Sequence, residues 1–379
     1  MQPRRVPACL ALAAAVAGTT VGAAAATPPT AVATRLDTVT GITDLVGVRT
    51  DGLLIARTTG GLRLVDAQGG TYPFAAQNLA RLPGASEPVR MLALAPLLPG
   101  DPLCPFRPND LPVFSPRSGS DQALFMVDAQ GVTAPWSSIP DGTPVAASFD
   151  QSGRFGQTLL VAVDRGGDGA VEELDCRGGR ADIAHGISGL QPGIAVLAAG
   201  AGGDAVVATR TGLLTVTPSG AVAPLLVDGW STTVGGRVAG LATVPSGFVA
   251  GGGAVDFADT RGLLHAGAAD LGRAGLRDGD LLVTAGAPAR LVGVHCEGGS
   301  CAARVLARGD GIGEATTRPV VVAAHVSRDV LLPRDAEGAG WGTLAAVGGG
   351  LGVLALPAVL RLRRRRSARL ELEERLLDE

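Results

Sequence analysis

The chain has 379 residues, including 56 glycines and 25 prolines, with 18% charged residues and a mean hydropathy of +0.30. This length is enough for a sizeable core, and the glycine and proline content stays below that of disordered or collagen-like chains. All 32 basic residues are arginine, and residues 27–340 contain 23 of them against 30 acidic residues, without a basic run. Because nucleic-acid binding depends on neutralising phosphates, this balance excludes a nucleic-acid partner.

Residues 1–26 have the pattern of a secretory signal peptide. Arg4 and Arg5 precede a short apolar run at residues 8–17, and small residues then allow cleavage after position 26. An uncleaved anchor is the alternative, because the stretch rich in alanine and glycine continues to the end of this segment. Residues 27–35 are interpreted as a linker.

Residues 36–326 are predicted to form an all-β domain. Short runs rich in leucine and β-branched residues are separated by glycine-rich turns, as at residues 53–56, 159–163, 205–208 and 281–284. Such runs with regularly spaced turns are typical of a sandwich, a barrel or a propeller.

A short repeat decides among these folds. Val-Asp-Ala-Gln-Gly at residues 65–69 recurs at 127–131, and looser copies occupy 174–178, 216–220, 258–262 and 294–298. Each copy lies between two predicted strands and is interpreted as a hairpin turn, whose glycine supplies a positive φ. The final glycines are separated by 62, 47, 42, 42 and 36 residues. Their average of about 46 is the period of a four-stranded propeller blade.

The prediction is therefore a six-bladed β-propeller. A seventh blade is the alternative, because residues 319–326 form a predicted strand without a repeat of its own. With six blades, this strand is expected to complete the first blade. The longest step contains a proline-rich insertion at about residues 96–121, which carries Cys104 and is expected to form a loop on one face of the ring.

Through its Asp-x-x-Gly turns the chain resembles six-bladed propellers of the NHL and TolB type, in which the turn between the outer strands often has this pattern. The resemblance covers residues 36–326 and implies a shape without a function. Six-bladed lactonases of this fold hold calcium at the axis with Glu, Asp and Asn, and quinone-dependent sugar dehydrogenases use a histidine near the ring. This chain has only Asn78 and Asn109 to offer such a calcium site.

Four of the five cysteines lie after the signal peptide, an even number that suits disulfides in an oxidising compartment. Cys296 and Cys301 flank a four-residue loop and are predicted to pair across adjacent strands. Cys104 and Cys176 remain, and their disulfide would tie the insertion to the next blade. A redox or metal role for the Cys296 pair is the alternative.

Residues 164–175 are the best local candidate for a metal site. Asp164, Asp168 and Asp175 occupy the first, fifth and twelfth places of a calcium loop, with Gly169 in the sixth. Gly166 stands where an acid is usual, and Asp175 where a bidentate glutamate is usual, so an ordinary hairpin turn is the alternative.

The four histidines do not form a metal motif in the sequence. They are widely separated, and none belongs to a metal-spaced pair: His185, His265, His295 and His325. A propeller could still gather such residues at its axis, because every blade contributes to it.

Residues 341–360 are predicted to form a single transmembrane helix. They contain no charged residue and span the length that crosses a bilayer core. An arginine cluster begins at Arg361 and marks the cytoplasmic side. This places the propeller outside the cell, with a juxtamembrane linker at 327–340 and a cytoplasmic tail at 361–379.

Two alternatives apply to this C-terminal segment. A buried core helix is disfavoured by the abrupt basic stop. Sortase anchoring to the cell wall is the other, on account of Leu-Pro-Arg-Asp-Ala at residues 332–336, but Asp335 and Ala336 replace the Thr and Gly that such cleavage needs.

Together these features predict a membrane-tethered extracellular propeller that acts as a binding module for a protein or a cell-envelope component. No catalytic residue is predicted and no cofactor beyond the calcium hypothesis, since no nucleophile elbow, Walker loop or dinucleotide fingerprint is present. The alternatives are a metal-dependent, lactonase-like hydrolase, a quinone-dependent sugar dehydrogenase, and a sensor that passes a signal inward.

Overall fold

The structure is a computed structural model, and all of its described residues lie within residues 1–326. The described residues are 29–36, 39–58, 61–66, 68–74, 90–96, 106–115, 121–129, 131–197, 202–297, 299–309 and 313–322. The predicted signal peptide, juxtamembrane linker, transmembrane helix and tail lie outside the described residues.

The fold is a six-bladed β-propeller, as the repeat predicts, and each blade is one β-sheet. Strands β1 (Ala31–Val32) and β2 (Thr34–Leu36) come first in the chain and join later blades. In blades 1 to 4 consecutive antiparallel strands run from the axis outward. Blade 1 consists of β3 (Ile42–Val48), β4 (Leu54–Thr58), β5 (Gly61–Val65) and β6 (Thr71–Pro73). Blade 2 consists of β7 (Arg90–Met91), β8 (Leu111–Ser115), β9 (Asp121–Val127) and β10 (Thr133–Pro140). Blade 3 consists of β11 (Thr143–Phe149), β12 (Leu159–Asp164), β13 (Asp168–Leu174) and β14 (Arg180–Ser188). Blade 4 consists of β15 (Leu190–Val196), β16 (Ala205–Thr209), β17 (Gly212–Val216) and β18 (Val222–Leu225).

The remaining elements build blades 5 and 6 together. In chain order they are β19 (Val227–Asp228), α1 (Trp230–Val234), β20 (Val238–Thr243), α2 (Phe248–Gly251), β21 (Ala254–Asp259), β22 (Gly262–Gly267), α3 (Ala268–Arg273), β23 (Leu281–Ala285), β24 (Arg290–Glu297), β25 (Ser300–Arg308) and β26 (Val320–Val322). Blade 5 has the order β20-β23-β24-β25, and β1 and β19 both pair in parallel with β25. Blade 6 has the order β26-β21-β22-β2.

Blades 5 and 6 are therefore interleaved. After β20 the chain contributes the hairpin β21–β22 to blade 6, returns to finish blade 5, and then supplies β26 as the inner strand of blade 6. The expectation that residues 319–326 complete the first blade was wrong, because β26 pairs with β21 and only packs beside β3 of blade 1. The N-terminal strand β2 closes the ring by pairing with β22.

All six repeated turns join adjacent antiparallel strands, as predicted, and five of them join the two outer strands of a blade. In the turn after β5, the Asp66 carboxylate accepts hydrogen bonds from the amides of Gln68 and Gly70, at 2.9 and 2.7 Å. The Gly69 φ of 80° completes the turn. The copy at 258–262 differs, because it joins the two central strands of blade 6, whose outer strand is β2.

The proline-rich insertion expected at 96–121 contains an integral strand. Residues Leu111–Ser115 are all buried and form β8 between β7 and β9. The sequence alone indicates a loop at this strand, because it contains Pro112 and proline is rare inside sheets. The core lies between neighbouring blades: Phe114 of blade 2 and Leu159 of blade 3 belong to one buried apolar cluster.

Candidate functional site

The axis of the propeller is lined by the inner strands β3, β7, β11, β15, β20 and β26. We call the face on which these strands begin the upper face, and the face on which they end the lower face. Because successive strands in a blade are antiparallel, the turns β4–β5 and β16–β17 also lie on the upper face.

A cavity of about 460 Å³ opens at the upper end of the axis, and we call it the upper axial cavity. Blade 1 contributes the side chains of Asp44 and Arg57, and the segment before β26 contributes Arg318. Four threonines also line it, Thr43, Thr58, Thr316 and Thr317, and the hydroxyls of the last two are hydrogen-bonded to the backbone of Ala258. Every blade supplies at least one residue that lines this cavity. The lining residues include both acidic and basic side chains together with several threonines.

A second cavity of about 490 Å³ lies at the lower end of the axis, and we call it the lower axial cavity. Its walls are the ends of the inner strands, and they combine apolar residues such as Val48 and Phe149 with polar ones such as Gln151. Arg318 lines both axial cavities, so its side chain lies between them.

Arg318 links the inner strands of several blades. Its Nη1 donates hydrogen bonds to the carbonyl oxygens of Leu92 and Ala147, in blades 2 and 3. Its Nη2 lies 3.8 Å from an oxygen of Asp44 in blade 1. The backbone of residue 318 also lies directly against Gly240 of β20, where a Cβ atom would be 2.2 Å from the Arg318 Cα. Glycine at position 240 is required for this approach.

A third cavity, of about 760 Å³, lies on the upper face beside the axis, and we call it the lateral cavity. It is bounded by the start of β15, the β16–β17 turn, α1 and the segment that follows α1. Arg210, Trp230 and Arg237 are prominent in its wall, and Pro192 borders both this cavity and the upper axial cavity.

The three carboxylates of the predicted calcium loop do not converge. Asp164 accepts a hydrogen bond from the Gly167 amide and Asp168 from the Gly186 amide, at 2.9 and 3.0 Å, at one end of β13. Asp175 lies beyond the other end of this seven-residue strand, about 20 Å away by the rise of a strand.

The Asp175 side chain is hydrogen-bonded within its own turn. Its carboxylate accepts hydrogen bonds from the amides of Arg177 and Gly179, at 2.8 and 2.7 Å, as Asp66 does in the equivalent turn of blade 1. Within the described ranges, no group of three or more His, Cys, Asp or Glu side chains is placed to hold a metal ion. Calcium binding stays a prediction.

The disulfide between Cys296 and Cys301 is confirmed. The two residues face each other in the register of β24 and β25, with Cα atoms 4.1 Å apart. Cys176 is also disulfide-bonded. Cys104 lies outside the described residues, so its pairing with Cys176 stays a prediction.

Two histidines form partly buried pairs with aspartates that the sequence did not reveal. His265 Nδ1 lies 2.7 Å from Asp256 Oδ1, and His295 Nδ1 lies 2.6 Å from Asp280 Oδ1. The hydrogen bond to Asp256 raises the pKa of His265, against the opposing effect of burial. Burial raises the pKa of Asp280, although hydrogen bonds from the Arg277 amide and His295 act in the opposite direction.

The other two histidines are not part of these pairs. His185 is exposed and lies beside Arg165, and His325 is outside the described residues. Hairpin register could have revealed the His265 pair, because Asp256 and His265 are direct cross-strand neighbours on β21 and β22. Arg318 had no such local signal.

No known protein-family model matches the chain, and no curated protein matches it. Solved structures do match, among them a Bacteroides uniformis ATCC 8492 protein provisionally named a 6-phosphogluconolactonase. It is 17% identical, the match covers 67% of this chain and 78% of that chain, and the TM-score is 0.29. This likeness is too weak to bear on function, and the NHL or TolB type stays a prediction.

No helix in the described part of the chain is long and apolar enough to cross a membrane.

Proposed function

We propose that this protein is an extracellular binding module, tethered to the cell membrane by residues 341–360, that binds its ligand on the upper face of the propeller. The observation behind this proposal is the convergence of Asp44, Arg57 and Arg318 with threonine hydroxyls in the upper axial cavity. Both charges and neutral hydrogen-bonding groups are present there, which suits a polar, hydroxyl-bearing or zwitterionic group of a protein or envelope component.

The ring supports this role because it holds the lining residues in fixed positions. Arg318 is hydrogen-bonded to backbone carbonyls of two other blades, so its guanidinium has a defined orientation at the axis. A site whose side chains are already ordered loses less entropy when it binds. Binding therefore requires no rearrangement of the blades.

The test uses the full chain in detergent micelles, with soluble cell-wall muropeptides, gluconate and glucono-δ-lactone as probes. A ligand that binds only the folded state raises the thermal midpoint. We expect a shift without turnover, and we expect Arg57→Gln and Thr58→Val to reduce it. Ser246→Ala, in the lower axial cavity, is the matched control and leaves the shift unchanged.

The same samples distinguish a binding module from an enzyme. If the protein consumes the lactone, and if EDTA abolishes this activity and calcium restores it, the protein is a metal-dependent hydrolase and the binding-module proposal is wrong. A midpoint shift that persists in both upper-cavity variants would place the ligand elsewhere. Topology is tested separately with alkaline phosphatase fused after residue 340, which we expect to be active outside the membrane.

A further inference from the structure

The lateral cavity has the dimensions and chemistry of a separate ligand site, which does not depend on the function proposed for the axis. Its volume of about 760 Å³ lies within the range of about 300–1,000 Å³ that is usual for small-molecule sites. Three separate stretches of chain form it: Leu190–Pro192 at the start of β15, Arg210–Thr211 in a turn, and residues 230–237.

The cavity has a positive wall without a negative counterpart. Arg210 and Arg237 both line it, whereas none of its lining residues is acidic. Among the described residues, no carboxylate forms an ion pair with either guanidinium, in contrast to Arg35, Arg165 and Arg180. Both arginines are exposed, so their guanidinium groups can form charge-assisted hydrogen bonds with an anion in this cavity.

Neutral hydrogen-bonding groups accompany these arginines. The Gln191 side-chain oxygen accepts a hydrogen bond of 2.8 Å from the Val238 amide, which leaves its NH₂ group as a donor. The hydroxyls of Thr211 and Ser231 belong to the same wall. The wall therefore offers several donors to the oxygens of an anionic group.

An apolar surface faces the same space. Trp230 is half-buried and packs partly against the core between blades 4 and 5, and Leu190, Pro192 and Val234 lie around it in the cavity. A tryptophan ring in such a position offers a flat surface on which a planar or apolar group can pack.

The wall that carries Trp230 is anchored to blade 5. Arg290 Nη1 donates a hydrogen bond of 3.1 Å to the Thr233 carbonyl in α1. The helix is also capped at both ends by glycines in the left-handed conformation, Gly229 with φ 74° and Gly235 with φ 52°. These two residues set the direction of the chain before and after the helix. The backbone that carries Trp230 is thus fixed to blade 5.

From this geometry we propose that the lateral cavity binds a small organic anion, with Arg210 and Arg237 on its carboxylate or phosphate and its planar or apolar part against Trp230. The shared chemistry is an oxyanion attached to an apolar group. The oxyanion is either a carboxylate or a phosphate monoester, and the experiment distinguishes these two groups.

The experiment is isothermal titration of the full chain in detergent micelles with four probes: benzoate, phenyl phosphate, neutral benzamide and inorganic phosphate. We expect benzoate or phenyl phosphate to bind and benzamide not to. The tighter of the two anions identifies the preferred oxyanion. Arg210→Gln and Arg237→Gln are each expected to weaken binding by about tenfold or more, because charge-assisted hydrogen bonds are lost.

Two further variants separate the roles of charge and stacking. Trp230→Ala is expected to reduce the affinity for phenyl phosphate much more than the affinity for inorganic phosphate. Arg273→Gln removes an exposed arginine of α3 and is expected to leave every affinity unchanged. Folding of each variant is checked by its thermal midpoint.

Three results would overturn the proposal. The first is no heat of binding for either aromatic anion up to about 1 mM, which corresponds to only about 4 kcal/mol of binding free energy. The second is benzamide binding as tightly as benzoate. The third is full affinity retained by the folded double variant Arg210→Gln/Arg237→Gln.

Discussion

Arg35 on the N-terminal strand β2 holds both carboxylate oxygens of Asp259, the last residue of β21, in two hydrogen bonds of 2.8 Å. The two residues are 224 positions apart, and the Asp259 side chain is 1% exposed. Burial acts to raise the pKa of Asp259, but hydrogen bonds from Arg35 and from the amides of Arg261 and Gly262 outweigh it and lower the pKa. This pair fastens the start of the β-domain to blade 6 and so closes the ring.

Removal of one partner of this pair is expected to destabilise the whole propeller. Arg35→Gln leaves a buried carboxylate without its counter-ion, which costs about 3 kcal/mol. The measurement is urea unfolding of the full chain, followed by circular dichroism. Arg273→Gln breaks an exposed ion pair with Asp270 and is expected to cost less than about 1 kcal/mol. Equal effects of the two substitutions would contradict the role of Arg35 in closing the ring.

The His265–Asp256 pair predicts a pH dependence of stability. The pKa of His265 is raised above 6.5 in the folded state, so its stabilising effect is fully present below pH 6.5 and is lost as pH rises through the higher folded value. His265→Gln is expected to remove this fall in the free energy of unfolding, measured between pH 5 and 9. Asp256→Asn removes the hydrogen-bonded carboxylate and is expected to do the same. An unchanged slope in both variants would refute the assignment.

Gly178 in the outer turn of blade 3 is expected to tolerate no side chain. Its φ is +83°, and a Cβ atom there would lie 2.2 Å from the carbonyl oxygen of Trp136 in blade 2. Gly178→Ala is therefore expected to destabilise the protein by about 3 kcal/mol, since backbone strain and a steric clash add. Gly186→Ala is the matched control, because its φ is +74° with nothing within 4 Å, and strain alone costs about 1 kcal/mol. Thermal unfolding of both variants compares the two costs.

The Cys296–Cys301 disulfide and the predicted Cys104–Cys176 disulfide are expected to differ in their effect on stability. Cys296 and Cys301 are separated by 5 positions, so loss of this bond is expected to cost about 2 kcal/mol in the chain-entropy account. A Cys104–Cys176 bond closes a much longer loop and is expected to contribute about 4 kcal/mol. Cys296→Ser/Cys301→Ser and Cys104→Ser/Cys176→Ser are compared by urea unfolding. Peptide mapping without reductant tests the second pairing directly, and a peptide that joins Cys176 to any other cysteine would disprove it.

The number of blades could be predicted because its signal is local. In the turns of blades 1 and 3, Asp66 and Asp175 each bind backbone amides two and four residues further along. Such a turn depends on adjacent residues alone, so its pattern is visible in the sequence and repeats with the blade. The Cys296–Cys301 bond was predictable for the same reason, since both residues flank one hairpin turn.

Local sequence patterns therefore predict the all-β propeller, its hairpin turns and one disulfide. The closure of the ring and the positions of its cavities depend instead on contacts between segments that are far apart in the chain. Pairing of β2 with β22, and of β26 with β21, joins strands that are distant in the chain, and unlike a hairpin such pairing has no local sequence signature. Arg318 at the axis and the Arg210–Trp230–Arg237 wall likewise gain their surroundings from separate segments, which come together only when the blades pack.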